Sequence, residues 1–122
     1  MRSLPRKAAL YLVVGFCAVL GLGCHSSGIN VTIQNNSEVP LRNVELDYPG
    51  AAFGTGRIAP GASYWYHIKP TSDGDLTLSF EQADAKMIRQ KPGAVHARES
   101  GRLIIIVEQD ANQQWHTRVE KK

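Results

Sequence analysis

Beyond residue 28, apolar and polar residues alternate with a period of two along most of the chain. Ile29-x-Val31-x-Ile33, Val44-x-Leu46-x-Tyr48 and Leu76-x-Leu78-x-Phe80 each bring every second side chain to one face, the pattern of a half-buried strand. Tyr64-x-Tyr66-x-Ile68 does the same and leaves Trp65 and His67 on the opposite face. Leu103–Val107 is continuously aliphatic, which predicts a central strand covered on both sides. Trp115-x-Thr117-x-Val119 is a last alternating strand. Turn formers punctuate these runs: Asn35-Asn36-Ser37, Pro49-Gly50, Gly54-x-Gly56, Pro60-Gly61, Asp73-Gly74, Pro92-Gly93, Ser100-Gly101 and Asp110-Ala111-Asn112. Their spacing is near the roughly 8–12 residues typical of sandwiches and barrels. In Glu81–Lys91, Ala83, Met87 and Ile88 could share a helix face, but the flanking strand patterns predict a hairpin. It runs from Leu76–Glu81 through Ala83-Asp84-Ala85 into Lys86–Gln90. The expected architecture is all-β: a two-sheet antiparallel β-sandwich of about seven or eight strands.

The first two dozen residues follow a different rule. Met1–Lys7 is short and basic through Arg2, Arg6 and Lys7, Ala8–Gly23 is almost purely apolar, and Cys24 opens the polar stretch His25-Ser26-Ser27-Gly28. A basic start, an apolar middle and small residues before a cut site describe an export signal. A bilayer span takes about 20 apolar residues. Ala8–Gly23 falls short of that, and Gly15, Gly21 and Gly23 weaken it as a stable helix. The chain therefore divides into an apolar signal helix over 1–23, a short tether over 24–28 and one domain over 29–122.

Charge changes its meaning once that leader is set aside. The whole chain carries a formal +3, but Arg2, Arg6 and Lys7 account for the excess of 14 basic over 11 acidic residues. The domain is neutral, which argues against nucleic acid as a partner, because that role calls for a net basic surface. Of the 2 cysteines, Cys17 lies inside the apolar run, leaving Cys24 with no partner for a disulfide.

The residues Leu20-Gly21-Leu22-Gly23-Cys24 resemble the lipobox of bacterial lipoproteins, of the form Leu, small, small, Cys. The family's aliphatic residue sits three positions before the cysteine, where this chain has Gly21, with Leu20 one step earlier. The resemblance implies lipidation of Cys24, which becomes the new N-terminus and carries a thioether-linked diacylglycerol and an amide-linked acyl chain. It also implies sorting by the following residue. His25, not being aspartate, points to the periplasmic face of the outer membrane in a two-membrane host. A single acyl chain binds a bilayer only reversibly, whereas several together hold firmly. The tether from Cys24 to Ile29 spans at most roughly 18 Å, so the domain is expected close to the lipid surface. Val31–Tyr66 also loosely resembles bacterial immunoglobulin-like modules, through Asn35-Asn36-Ser37, Leu41-Arg42-Asn43-Val44 and Ile58-Ala59-Pro60-Gly61-Ala62-Ser63. That likeness implies an Ig-like fold and no particular activity.

Candidate chemistry is sparse. His25, His67, His96 and His116 show no close metal-ligand spacing. Ser63, Ser79 and Ser100 lie in no Gly-x-Ser-x-Gly elbow. Asp73-Gly74-Asp75 reads as a tight turn and lacks the further acids of a calcium loop. His67 and His116 each neighbour a tryptophan and, if they met across sheets, would give a small hydrolase its base. No catalytic residue, metal site or cofactor is assigned. Tyr64, Trp65 and Tyr66 are the best partner-binding candidates, since alternation must turn one face of that strand away from the core. Exposed aromatics there can stack on sugars or anchor a protein. Asp73–Asp84 is acidic and Lys86–Arg102 basic, so the two either pair or leave the basic stretch free for anionic headgroups. The expectation is a membrane-anchored, non-enzymatic binding or scaffolding module. Its partner is an envelope protein, or a glycan held by the aromatic strand.

Overall fold

The computed structural model describes residues 28–122. The expected signal over 1–23, Cys24 and the expected tether apart from Gly28 lie outside the described residues. Ten strands follow in order: β1 Ile29–Asn35, β2 Leu41–Tyr48, β3 Ala51–Ile58, β4 Ser63–Ile68, β5 Gly74–Asp75, β6 Thr77–Glu81, β7 Met87–Gln90, β8 Ala94–Val95, β9 Gly101–Gln109 and β10 Trp115–Lys121. The described residues contain no helix. One four-stranded sheet has the order β10-β9-β1-β4, a second the order β3-β2-β6-β7, and β5 pairs with β8 alone. All pairs are antiparallel except β1 with β9, which run parallel.

Alternation delivers the core as expected. Ile29, Val31 and Ile33 of β1 point inward beside Leu103, Ile105 and Val107 of β9, all buried. Leu41, Val44 and Leu46 of β2 and Leu78 and Phe80 of β6 join the same hydrophobic cluster from the second sheet. Full burial of each such side chain contributes about 1.5–3 kcal/mol. Aromatic pairs close both flanks of this two-layer core. On one side Phe53 of β3 stacks on Tyr66 of β4 at 4.6 Å. On the other, Phe80 meets Trp115 edge-on at 4.8 Å, and the Trp115 indole N–H donates to Gln82 Oε1 at 2.8 Å.

Three expectations need correction. Gly54-x-Gly56 is no turn but part of the edge strand β3. Glycine suits position 54 because a Cβ there would stand 2.9 Å from the Val44 carbonyl oxygen. The wholly antiparallel sandwich is also wrong in one pair, since the aliphatic run of β9 lies parallel to β1. As expected the run is a central strand, buried on its inner face, while on the outer face Ile106 is buried and Ile104 half-buried. Finally, Gly74-Asp75 is a short strand paired with Ala94-Val95, not a tight hairpin turn. The hairpin through Ala83-Asp84-Ala85 forms as expected, with Glu81 opposite Met87 and Ala85 at φ 65°. The three-residue step from Leu41 to Val44, both inward, reflects a bulge in the β2–β6 register at Asn43, where φ is 47° and the carboxamide donates to Glu81 Oε2.

Side chains lock the turns. Asn35 is fully buried; its Nδ2 donates to the carbonyls of Val39 at 2.9 Å and Ile58 at 3.1 Å. Its Oδ1 accepts from the Ser37 backbone N–H at 3.0 Å and the Ser37 hydroxyl at 2.6 Å. Three exposed aspartates do similar work further on. Asp73 accepts from Ala97 N–H, Asp84 from Lys86 N–H, and Asp110 from the backbone N–H groups of Asn112 and Gln114 and from His116. The Ala97 N–H, with help from His96, holds the Asp73 carboxyl below its ordinary value. The Lys86 N–H does the same for Asp84, and the His116 hydrogen bond, then the Gln114 N–H, for Asp110.

Asn35→Ala strands the Ser37 N–H and the buried Ile58 carbonyl, leaving the Val39 carbonyl only the Ser37 hydroxyl, and is expected to cost about 3 kcal/mol in urea unfolding. Asn35→Asp is expected to be worse at pH 7, because a carboxylate has no hydrogen to give either carbonyl. It should recover on acidification, as the buried carboxyl takes up a proton. The unsubstituted protein runs the other way. Its lowered aspartate pKa values contribute stability that is complete above about pH 4, the unfolded value, and is lost as pH falls through the folded ones. Thermal melts should therefore hold level from pH 7 to about 5 and fall below about 4. Replacing Asp73, Asp84 and Asp110 together by Asn should flatten that fall.

Candidate functional site

The triplet Tyr64-Trp65-Tyr66, expected as a partner-binding candidate, is divided by its own strand. In β4, Tyr64 and Tyr66 oppose Ile33 and Val31 of β1, so both turn toward the interior, whereas Trp65 opposes Thr32 and points outward. Tyr66 and Tyr64 pack on Phe53, Tyr64 at 6.2 Å, and Tyr48 reaches the same ring at 6.4 Å. These four rings seal the flank between β3 and β4. Burial, with the neighbouring Tyr66, pushes the Tyr48 phenol above its ordinary value. Trp65, at 68% exposure, is the most exposed large apolar side chain among the described residues.

Register decides what surrounds Trp65. Crossing the outer face of the β10-β9-β1-β4 sheet, Trp65 is followed by Thr32 and then Ile104. The adjacent row runs His67, Asn30, Arg102. The two rows form a shallow concavity of about 370 Å³ lined by Asn30, Thr32, Trp65, Arg102 and Ile104. His67 Nδ1 lies 2.8 Å from Asn30 Oδ1, an oxygen that only accepts, so the imidazole donates and the Asn30 amide hydrogens keep no partner among the described residues. The site thus offers an indole face, an aliphatic floor, a hydroxyl, an amide donor and a guanidinium. That set suits the face of a sugar ring or a polar peptide surface.

Electrostatics differ across the sheet. Near β10 the Arg118 guanidinium contacts Glu120 at 2.8 Å and Glu108 at 3.2 Å, and the two carboxylates push its pKa up. Arg102 makes no ion pair among the described residues and faces the concavity uncompensated.

The histidines do not meet. His67 sits on the edge strand β4 and His116 on the opposite edge β10, bonded to Asp110 at 2.8 Å. Three strand spacings across, and the run from Arg102 to Glu108 along the sheet, put them roughly 25 Å apart. Among the described residues, no three His, Cys, Asp or Glu side chains gather to hold a metal ion. Asn30, Thr32, Arg102 and Ile104 were missed as site residues. The outward parity of Asn30 and Thr32 was readable from the alternation of β1, but the parallel register that sets Arg102 beside them carries no local signal.

No family model and no curated protein matches the chain. Among solved structures, it is similar to the NMR structure of a protein from Eubacterium rectale, with a TM-score of 0.57 at 11% identity over 79% of this chain and 89% of that one. At that identity the likeness is one of fold alone.

Proposed function

We propose that this protein is a cell-envelope lipoprotein, held to the membrane by acylated Cys24, whose Ig-like β-sandwich is a non-enzymatic binding module. Its ligand face is the outer surface of the β10-β9-β1-β4 sheet. The observation that carries the reading is Trp65, exposed at 68% on a sheet face and bordered by Asn30, Thr32, Arg102 and Ile104. A tryptophan of that exposure has a large amphipathic surface to bury when a partner covers it. The lipobox-like Leu20–Cys24 supports the anchor, and His25 supports the outer membrane. A glycan ligand, of the peptidoglycan kind, is favoured over a protein by one feature. The indole stands next to an amide and a guanidinium, groups that hydrogen-bond ring hydroxyls while the indole stacks.

Growth with a radioactive fatty acid is expected to label the unsubstituted protein and not Cys24→Ala; equal labelling of both overturns the anchor. In pulldowns with cell-wall glycans, Trp65→Ala should weaken capture at least about 30-fold, the roughly 2 kcal/mol of a central aromatic contact. Tyr66→Phe, which keeps the stack on Phe53, should leave it unchanged. Unchanged capture by Trp65→Ala removes the glycan reading. Crosslinking of the intact protein in membranes then identifies a protein partner in its place.

A further inference from the structure

We infer that the pole of the domain nearest the N-terminal segment is a docking surface for anionic lipid, so that the anchored domain stands on that end. This rests on Cys24 as the anchor, and it adds which part of the domain meets the bilayer.

Register gathers one end of the molecule. Ile29 at the start of β1 pairs with Ile68, the last residue of β4, and with Gly101, the first of β9. The C-terminal Lys122 and Arg102 exchange backbone hydrogen bonds at 2.9 and 3.1 Å. Thr71 N–H donates to Pro49 O, and Arg98 N–H to Pro70 O, which brings the β2–β3 turn and both long loops to the same end. The chain arrives there through Gly28, at φ +138°, where a Cβ would overlap the His67 ring. From Cys24 to Gly28 the chain reaches at most roughly 14 Å, so acyl chains on Cys24 keep this end within that distance of the membrane.

That end carries Lys69, Arg98, Arg102, Lys121 and Lys122 against Asp73, Asp75 and Glu99. Lys91 and Asp47 lie one step further in and offset each other. The acids are largely committed: Asp73 to the Ala97 N–H and His96, Glu99 to Lys121 at 3.5 Å and the His96 N–H. Lys69, Arg98, Arg102 and Lys122 are exposed and make no ion pair among the described residues. At the far end the balance reverses: Glu38, Glu81, Asp84, Glu108 and Asp110 stand against Lys86, Arg42 and Arg57, the two arginines in register with Glu81. A domain with no net charge is therefore a dipole whose positive end faces the tether. Near an anionic surface each basic residue favours contact about fivefold, within a Debye length. A tether this short keeps the basic end inside that range. An anionic bilayer fits better than an acidic protein because the anchor places the lipid there at all times.

The test uses the mature chain 24–122, whose sole thiol is Cys24, coupled to a maleimide lipid in vesicles. This reproduces the tether whether or not cells acylate the residue, so failure here is distinct from failure of the fatty-acid labelling. Lysine acetylation is then read by mass spectrometry on vesicles with and without phosphatidylglycerol. Labelling of Lys69 and Lys122 is expected to drop at least about fivefold on the anionic vesicles, while Lys86 at the far end stays reactive. Lys69→Glu with Arg98→Glu should restore labelling of Lys122 to its level on neutral vesicles, and so should high salt. Equal labelling on both lipids, or protection at Lys86, overturns the proposal.

Discussion

Asn35, itself fully buried, commits both amide hydrogens and its carbonyl oxygen to partners in the β1–β2 turn and at the end of β3. Its backbone adds the Pro60-Gly61 turn, donating to Ala62 O at 2.9 Å and accepting from Gly61 N–H at 2.8 Å. Next to it, Asn36 N–H reaches Val107 O of β9 at 2.8 Å. The end of β1 is thus pinned to β3, to the loop leading into β4, and to β9. Slipping a strand by one residue exchanges its two faces. In β4 such a slip would turn Trp65 into the core and Tyr64 and Tyr66 out to solvent. The outward placement of Trp65 on the far side of the sheet depends on a register that one buried carboxamide helps to hold.

The legibility of the fold follows the same physics. Alternation is local and periodic, so the two faces of β1, β4 and β10 could be read residue by residue, though which face of β4 turns outward, that of Trp65, is decided only by the packing of Tyr64 and Tyr66 on Phe53. β3 could not. Its residues Ala51-Ala52-Phe53-Gly54-Thr55-Gly56 hold one large apolar side chain, and the glycine at 54 answers the Val44 carbonyl oxygen across the ladder, a contact invisible in the local sequence. The parallel pairing of β1 with β9 joins segments some seventy residues apart, Ile29 with Gly101, and no turn residue announces it. For that reason the candidate site was found by one residue of five. Trp65 was visible from its own strand, whereas Arg102 and Ile104 reach it only through tertiary register.

The split of Tyr64-Trp65-Tyr66 shows how a cluster in sequence becomes two separate devices. The tyrosines, with Phe53 and Tyr48, fill the gap where two edge strands of different sheets approach, a place that aliphatic side chains of either sheet would leave open. Their rings provide closure, and Tyr66, still 44% exposed, covers the Phe53 ring as it does so. Trp65 is released from that duty by the pleat, and nothing in the domain's own core competes for it.

Net charge alone would have described this domain as electrostatically featureless. The antiparallel course of the strands argues otherwise, because it returns chain segments far apart in sequence to the same end. Lys69, Arg98, Arg102 and Lys122 come from three separate stretches and converge only because β4 ends where β9 begins and β10 finishes. Arg102 belongs to both features, lining the Trp65 concavity while marking the basic end. A domain resting on that end holds the outer face of the β10-β9-β1-β4 sheet upright, since the strands then run away from the bilayer. Trp65 is then carried beside the membrane, turned parallel to it, where a ligand spread along the envelope can be met edge-on.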